Sequence, residues 1–168
     1  MSNTRIGIGY DIHPLEAGCK LVLGGVEIPF EKGLGGWSDA DVLTHAVIDA
    51  LLGAAALGDI GRHFPPGEPE YKDISSLVLL DKTSKLLKDK GWKVGNIDAT
   101  VVADQPRLSD YISEMRHNLS SALQIDADRV SVKASTNNGL GYIGMGMGIA
   151  TYAVALLERL RTKSKKKG

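Results

Sequence analysis

The sequence predicts an α+β fold, a single domain with one mixed β-sheet and helices packed on one face. Three observations support this prediction. Apolar, β-prone runs at Thr4–Tyr10 and Trp92–Asp104 indicate strands. A nearly all-apolar segment, Val42–Leu57, and an amphipathic one, Ile74–Lys90, indicate helices. The chain has no internal repeat and no domain boundary, so we expect one domain over residues 1–168.

Turn-forming residues define the other elements of the first half of the chain. Leu21–Phe30 predicts a hairpin because two apolar runs flank a Gly-Gly pair. Gly33–Gly36 predicts a loop, and Ser38 is expected to cap the following helix with Asp41 at its third position. Asp59–Gly67 is rich in glycine and proline, which predicts another loop.

The second half of the chain contains one ambiguous element. Arg107–Leu123 predicts a helix, Val130–Ala134 a short strand and Thr136–Gly148 a glycine-rich loop. Ile149–Leu157 is a continuous apolar run that suits either a buried strand or a helix. We favour a strand that begins with the alternating glycines of Gly144–Gly148.

The composition excludes several classes of protein. The 20 basic and 20 acidic residues leave no net charge to attract nucleic acid or an anionic membrane. Cys19 is the only cysteine, which excludes an intrachain disulfide and fits a reducing compartment. No apolar stretch is long enough to span a bilayer, and the first residues lack the pattern of a signal peptide. We therefore expect a cytoplasmic protein with a core over about residues 4–160 and a disordered basic tail over 161–168.

Two short motifs predict a metal site. Asp11 and His13 are two residues apart at a strand end, so their side chains point to the same side. Asp41 and His45 share one face of a helix. The carboxylate of Asp11 with the imidazoles of His13 and His45 can bind Zn²⁺ and leave a fourth position open. The alternatives are a chance Asp-x-His pair and a structural His45, and Asp41 is either a partner that orients His45 or a helix cap.

A longer set of motifs carries a resemblance to one family. The set includes Asp11-x-His13, Ser38-Asp39-x-Asp41-Val42-x-x-His45, Leu51-Leu52-Gly53-Ala54-Ala55-Ala56-Leu57-Gly58-Asp59-Ile60-Gly61, Phe64-Pro65, Lys133-Ala134-Ser135-Thr136 and Leu140-Gly141-Tyr142. On these motifs, from about Arg5 to Leu157, the chain resembles the 2-C-methyl-D-erythritol 2,4-cyclodiphosphate synthase family of the non-mevalonate isoprenoid pathway. The block that begins at Leu51 is far more specific than a three-ligand pattern.

The resemblance implies a lyase that converts 4-diphosphocytidyl-2-C-methyl-D-erythritol 2-phosphate into the cyclic diphosphate and CMP. In this reaction the 2-phosphate attacks the β-phosphorus of the same molecule. The resemblance also implies a homotrimer whose sheets surround a central channel, with active sites at subunit boundaries and with no nucleic-acid or membrane partner. Zinc would bind to Asp11, His13 and His45, and Mg²⁺ or Mn²⁺ would bridge the substrate diphosphate.

The same resemblance implies roles for individual residues. The implied catalytic positions are Thr136, Trp37 and Asn138. The implied substrate-binding positions are Asp11, Ile12, His13, Trp37, Ser38, Asp59, Ile60, Gly61, Phe64, Pro106, Arg107, Leu108, Ala134, Ser135, Thr136 and Tyr142. Of these, Pro106 to Leu108 and Ala134 to Thr136 match the stretch that holds cytidine diphosphate from the neighbouring subunit.

Several of these positions depart from the family pattern. Trp37 stands where the family usually has a histidine, and Asn138 stands where it has a Mg²⁺-binding glutamate. Loss of one electrostatic stabiliser commonly costs about 10²–10³ in rate. Met145 and Met147 replace a common Arg and Glu of the channel, so we do not expect an isoprenoid phosphate to bind there, whereas Arg107 in place of lysine keeps the charge. We expect a synthase of reduced activity. The alternatives are an inactive zinc-binding trimer and a zinc-dependent phosphoryl transferase with a shifted substrate.

Overall fold

The strands of the chain form one mixed sheet and one separate hairpin. A computed structural model describes residues 3–160. Its strands are β1 (Thr4–Ala17), β2 (Leu21–Leu23), β3 (Val26–Ile28), β4 (Lys32–Leu34), β5 (Trp92–Val102), β6 (Val130–Ser135) and β7 (Gly148–Arg159). The large sheet has the order β4-β1-β7-β5-β6, in which β5 and β6 are parallel and the other neighbours antiparallel. The prediction of one mixed sheet is confirmed, with the β2–β3 hairpin beside it.

Three longer helices cover one face of this sheet. They are α1 (Val42–Ala55), α3 (Ser76–Asp89) and α4 (Ile112–Leu123), and two single turns of helix, α2 (Ile60–His63) and α5 (Gly141–Gly144), lie in the connections. Helix α1 packs on β1 and β7 and is buried on nearly all sides, as its apolar composition predicts. No helix within residues 3–160 is long and apolar enough to cross a membrane.

The opposite face of the sheet is apolar and exposed. Alternate residues of β1 point away from α1 because side chains alternate along a strand. The exposed large residues on this face include Ile6, Ile8, Tyr10, Ile12, Tyr152 and Val154. An apolar face of this extent is typical of a surface that another molecule covers.

Several element boundaries differ from the sequence prediction. Strand β1 continues beyond Tyr10 because β7 pairs with it as far as Pro14 and β4 pairs with its last residues. The residue that caps α1 is Asp41 and not Ser38, since the Asp41 side chain accepts the N–H of Thr44. Helix α4 begins at Ile112 instead of at position 107. Two segments predicted as loops contain α2 and α5, and part of a third forms β4.

The ambiguous segment 149–157 is a strand, β7, as favoured, but the strand begins at Gly148 and not at Gly144, because Gly141–Gly144 forms α5. The hairpin and the other strands lie where they were expected. The predicted disorder of the basic tail at 161–168 lies outside the described residues.

Two glycines of β1 allow the strand to lie directly against α1. A Cβ at Gly7 would lie 2.0 Å from the carbonyl oxygen of Ala50, and one at Gly9 would lie 1.9 Å from that of Ala46. Because no side chain separates the two backbones here, β1 and α1 have a fixed register. This register determines which residues of the strand face which residues of the helix.

We expect Gly9→Ala to destabilise the protein by at least about 1–3 kcal/mol, the usual cost of overpacking. Urea unfolding at one protein concentration measures this change. Gly53→Ala in α1 is the matched control, because its Cβ would meet only the carbonyl oxygen of Ile8 at 3.8 Å. The control should be neutral or more stable by up to about 1 kcal/mol. Equal stability of the two variants would contradict the close approach.

Candidate active site

Three possible metal ligands converge where β1 meets the first turn of α1. Asp11 and His13 lie on the side of β1 that faces α1, and His45 lies in α1. Asp11 Oδ2 is 3.1 Å from His13 Nε2 and 3.0 Å from His45 Nδ1. One donor atom of each side chain lies within 4.8 Å of the other two. The structure thus brings together the three residues that the motifs predicted, in an arrangement that can hold a metal ion.

Hydrogen bonds orient both imidazole rings toward the same point. His13 Nδ1 lies 2.6 Å from the carbonyl oxygen of Gly35. A carbonyl only accepts, so His13 donates to it from Nδ1, and Nε2 is the nitrogen that faces Asp11. His45 Nε2 lies 2.8 Å from Ser76 Oγ and 3.2 Å from Ser38 Oγ, which leaves His45 Nδ1 facing Asp11. The two metal-binding nitrogens are therefore oriented by the protein itself.

Contacts among Asp11, His13 and His45 also shift the pKa values of Asp11 and His13. Burial opposes ionisation of Asp11, but the hydrogen bonds and charges of His13 and His45 outweigh it and hold the pKa of Asp11 well below its usual value. Burial disfavours the charged form of His13, yet the Asp11 carboxylate and Gly35 outweigh it and raise the pKa of His13. The cluster thus favours a negative carboxylate between two imidazoles.

Asp41 is a structural carboxylate at the start of α1. Its oxygens accept the N–H groups of Gly24 (2.9 Å), Gly25 (2.8 Å) and Thr44 (3.0 Å), and the hydroxyl of Thr44 (2.7 Å). Burial raises the pKa of Asp41, the charge of Asp39 adds to this, and the hydrogen bonds oppose it. Of the two alternatives for Asp41, the helix cap is the correct one, and it also ties the β2–β3 turn to α1.

An apolar cavity of about 230 Å³ adjoins the metal cluster. The cluster and Ser38 form its polar end, and the apolar lining comprises Trp37, Ile60, Phe64, Pro66, Tyr71 and Leu79. Two carboxylates place α2 on the rim of this cavity. Asp59 caps α2 by accepting the N–H of Arg62 at 2.9 Å, and Asp49 Oδ1 accepts the N–H of Ile60 at 2.7 Å. The cavity suits a short carbon skeleton with an anionic group at the metal end.

A second cavity of about 700 Å³ is lined by six of the other predicted substrate residues. Its lining includes Pro106, Arg107, Leu108, Ala134, Ser135 and Thr136. It shares no lining residue with the cavity at the metal cluster. Most of the predicted substrate residues of one chain therefore belong to two distinct cavities.

Asp104 organises the turn beside the second cavity. Its two carboxylate oxygens accept the N–H groups of Asn137 at 2.7 Å and Gly139 at 3.0 Å. Between these two residues, Asn138 has a left-handed φ of 53° and its N–H donates to Thr136 Oγ1 at 3.2 Å. No local pattern in the sequence links position 104 to position 137, so Asp104 was not predicted.

Three predicted substrate residues line neither cavity, and one of them, Asp59, caps α2 instead. Ile12 lies between Asp11 and His13 on β1, so its side chain is on the exposed face of the sheet. Tyr142 in α5 is 76% exposed. Neither side chain lines the metal-cluster cavity or the second cavity.

Comparison with models of protein families shows which family the chain belongs to. The model of the YgbB family matches residues 4–158, which is nearly the whole described chain. The chain belongs to the YgbB family.

Relatives and solved structures of the YgbB fold agree with this result. A protein of Dehalococcoides mccartyi named 2-C-methyl-D-erythritol 2,4-cyclodiphosphate synthase is 58% identical over 154 residues, which cover 92% of this chain and 98% of that protein. A protein of Gloeobacter violaceus with the same name is 57% identical over 154 residues, covering 92% and 94%. A Plasmodium falciparum structure described as an IspF–CDP complex has a TM-score of 0.83 and 34% identity, covering 96% of this chain and 99% of that one.

One of the similar solved structures is of a protein longer than the present chain. The bifunctional IspDF of Campylobacter jejuni has a TM-score of 0.90 and 37% identity over 94% of this chain. The present chain spans 42% of the length of that protein.

Trp37 uses its one hydrogen-bond donor within the protein. Its indole N–H donates to the carbonyl oxygen of Glu68 at 3.0 Å, which ties the loop that follows α2 to the wall of the cavity. In this conformation Trp37 contributes an apolar surface and cannot donate to a phosphate. In this chain the Trp37 side chain therefore forms part of the cavity wall.

We expect Asp11→Asn to reduce the stability of the metal-free protein most strongly in mild acid. The pKa of His13 is raised, so the stability from His13 is fully present below its unfolded value of 6.5 and is lost as pH rises through the folded value. The pKa of Asp11 is lowered, so its stability is present above 3.8 and is lost only in stronger acid. Urea unfolding of chelator-treated protein at about pH 5.5 and about pH 8.5 measures the difference. A larger effect at the higher pH would contradict the assignment.

Proposed function

We infer that this chain catalyses the reaction of the 2-C-methyl-D-erythritol 2,4-cyclodiphosphate synthases, a lyase reaction of non-mevalonate isoprenoid biosynthesis. Its substrate is 4-diphosphocytidyl-2-C-methyl-D-erythritol 2-phosphate, which cyclises with release of CMP. The observation that carries this inference is the convergence of Asp11, His13 and His45 at the polar end of an apolar cavity. This site lies in a chain 58% identical to a relative of that name.

The metal that fits the cluster best is Zn²⁺. Two imidazole nitrogens and one carboxylate oxygen, with a position left open, are a usual donor set for zinc in enzymes. When bound there, zinc would act as a Lewis acid that neutralises the attacking 2-phosphate and fixes its direction. The phosphate oxygen is already ionised, so no side chain has to remove a proton from the nucleophile.

The residues of the metal-end cavity would position the nucleophile. The Ser38 hydroxyl lies at the polar end, where it can donate to a phosphate oxygen. Ile60, Phe64 and Leu79 would pack against the methylerythritol carbons and exclude water from the reacting phosphates. Fixing both phosphates of one molecule in this way supplies the entropic part of the acceleration.

The second cavity would bind the cytidine diphosphate end of the substrate. Arg107 supplies a cation that keeps its charge at all physiological pH values. Thr136 lines this cavity, and its hydroxyl, which donates to Asn138 Oδ1 at 3.1 Å, would turn to a phosphoryl oxygen of the bound substrate. Mg²⁺ or Mn²⁺ would bridge the diphosphate, but Asn138 offers only a neutral amide oxygen, so we expect this ion to bind weakly.

A homotrimer explains both the exposed sheet face and the separation of the cavities. Ile6, Ile8, Tyr152 and Val154 would be covered when the sheets of three chains meet around a channel. In that assembly the second cavity of one chain would adjoin the metal-end cavity of its neighbour and complete the site. We propose a cytoplasmic location, in keeping with the single cysteine.

An inactive binding protein of the same fold is not favoured. The three metal ligands are intact, and eight relatives between 53% and 58% identical carry the synthase name. The altered positions therefore affect the expected rate and not the type of reaction.

Metal analysis tests the proposed zinc site. We expect about one zinc per chain in protein purified without chelator, and at least a tenfold weaker affinity in His45→Gln. His117→Gln is the matched control, since His117 lies exposed on α4 away from the cluster. Equal zinc content in both variants, or none in the unmodified protein, would overturn the assignment of these ligands.

A CMP-release assay tests the reaction and the altered positions together. We expect CMP release that depends on divalent cations, and we expect the double variant Trp37→His/Asn138→Glu to be faster by up to about 10²–10³. Asn3→Glu adds the same charge at an exposed position just before β1 and should leave the rate unchanged. No CMP release from either protein would refute the proposed activity, whereas equal rates would refute only the role of positions 37 and 138.

A further inference from the structure

A chain of hydrogen bonds extends behind His45, away from the metal position. Ser76 is the first residue of α3 and is completely buried. Its Oγ lies 2.8 Å from His45 Nε2 and also bonds to Asp39 Oδ1. The Ser76 N–H donates to the other oxygen of Asp39 at 2.9 Å. Asp39 thus holds the hydroxyl and the N–H of one serine with both carboxylate oxygens.

The chemistry of these groups determines the direction of each proton. A carboxylate only accepts, so the Ser76 hydroxyl donates its proton to Asp39. The Ser76 oxygen then presents a lone pair to His45 Nε2, and His45 must carry its proton on that nitrogen. His45 Nδ1 is then the nitrogen that faces Asp11 Oδ2, at 3.0 Å, and the one that a metal ion beside Asp11 would contact.

We propose that Asp39 and Ser76 are positioning residues that fix His45 in the tautomer able to bind the metal. Hydrogen-bond partners of this kind set the orientation and basicity of metal-binding histidines, and their loss typically weakens metal affinity about 10–100-fold. The inference rests on the proposed metal site but adds to it, because neither residue touches the metal position or the substrate cavity in its own right.

A second serine near His45 has a different role. Ser38 Oγ lies 3.2 Å from His45 Nε2, farther than Ser76, and it accepts the N–H of Ala40 at 3.3 Å. Ser38 has no carboxylate to take its proton and lies at the polar end of the cavity. Since Ser76 accepts from His45, the hydroxyl proton of Ser38 remains available for the phosphate of the substrate.

The hydrogen bonds of Asp39 also show how a carboxylate can lie near the proposed phosphate position. Two acidic residues before α1 would repel a phosphate if they faced it. Both Asp39 oxygens are engaged by Ser76, and Oδ1 also accepts the N–H of Asp41 at 3.2 Å. The carboxylate is therefore directed toward the backbone and the serine.

Imidazole ¹⁵N NMR of the metal-free protein tests the tautomer directly. We expect His45 Nε2 to carry a proton in the unmodified protein and to be protonated only in part in Ser76→Ala. Zinc titration should show an affinity about 10–100-fold weaker in Ser76→Ala and at least about threefold weaker in Asp39→Asn. Ser75→Ala is the matched control, because Ser75 is exposed and its side chain makes no capping hydrogen bond; it should retain the affinity and the tautomer.

The possible outcomes separate this inference from the proposed function. If folded Ser76→Ala keeps the tautomer and the zinc affinity, or if Ser38→Ala loses them instead, the inference is wrong while the metal site stands. If the unmodified protein binds no zinc, the proposed metal site is wrong, and the tautomer measurement still decides whether Ser76 orients His45. Circular dichroism shows whether each variant folds. If Ser76→Ala does not fold, the tautomer and the zinc affinity of Asp39→Asn decide the inference instead.

Discussion

The contact between β1 and α1 is the constraint on which the metal cluster depends. Gly9 lies against the carbonyl of Ala46, so strand and helix backbones touch without an intervening side chain. Asp11 is the next residue of β1 on the same face, and His45 precedes Ala46 in α1. The register that seats Gly9 on Ala46 therefore also brings Asp11 beside His45. A shift of one residue in the strand would turn both ligands of β1 to the exposed face.

The protein orients the ligands from both sides of the cluster. Gly35 fixes His13 from the loop after β4, and Ser76 fixes His45 from α3, so two elements distant in sequence converge on the two rings. This support lowers the cost of binding, because the rings need not be ordered by the metal. The carboxylate of Asp11 has the complementary role. It stays ionised between two imidazoles, and the attraction between them offsets its burial.

Local patterns in the sequence predicted the ligands but not their supports. A two-residue spacing in a strand and a cap-to-helix motif are sufficient to find Asp11, His13 and His45. Asp39 and Ser76 are 37 positions apart, and no periodicity connects residues at that separation. The same reason explains the error at the α1 cap. Asp41 caps the helix because it also binds the turn between β2 and β3, a contact that exists only in the folded chain.

The altered residues belong to a site whose possible metal ligands and cavities are intact. Whether the chain retains activity depends on how the loss of stabilisation at these residues compares with the contribution of substrate positioning. Replacing one charged stabiliser costs about 3–4 kcal/mol of the activation barrier. Holding both reacting phosphates in place contributes about 7–11 kcal/mol. In the proposed mechanism the second contribution would depend on Asp11, His13 and His45, the apolar cavity and Arg107, all of which are present. Two such losses, at Trp37 and Asn138, would raise the barrier by about 6–8 kcal/mol. This offsets much of the contribution of positioning, about 7–11 kcal/mol, without abolishing it at the middle of both ranges, so we expect the chain to retain the reaction at a much lower rate.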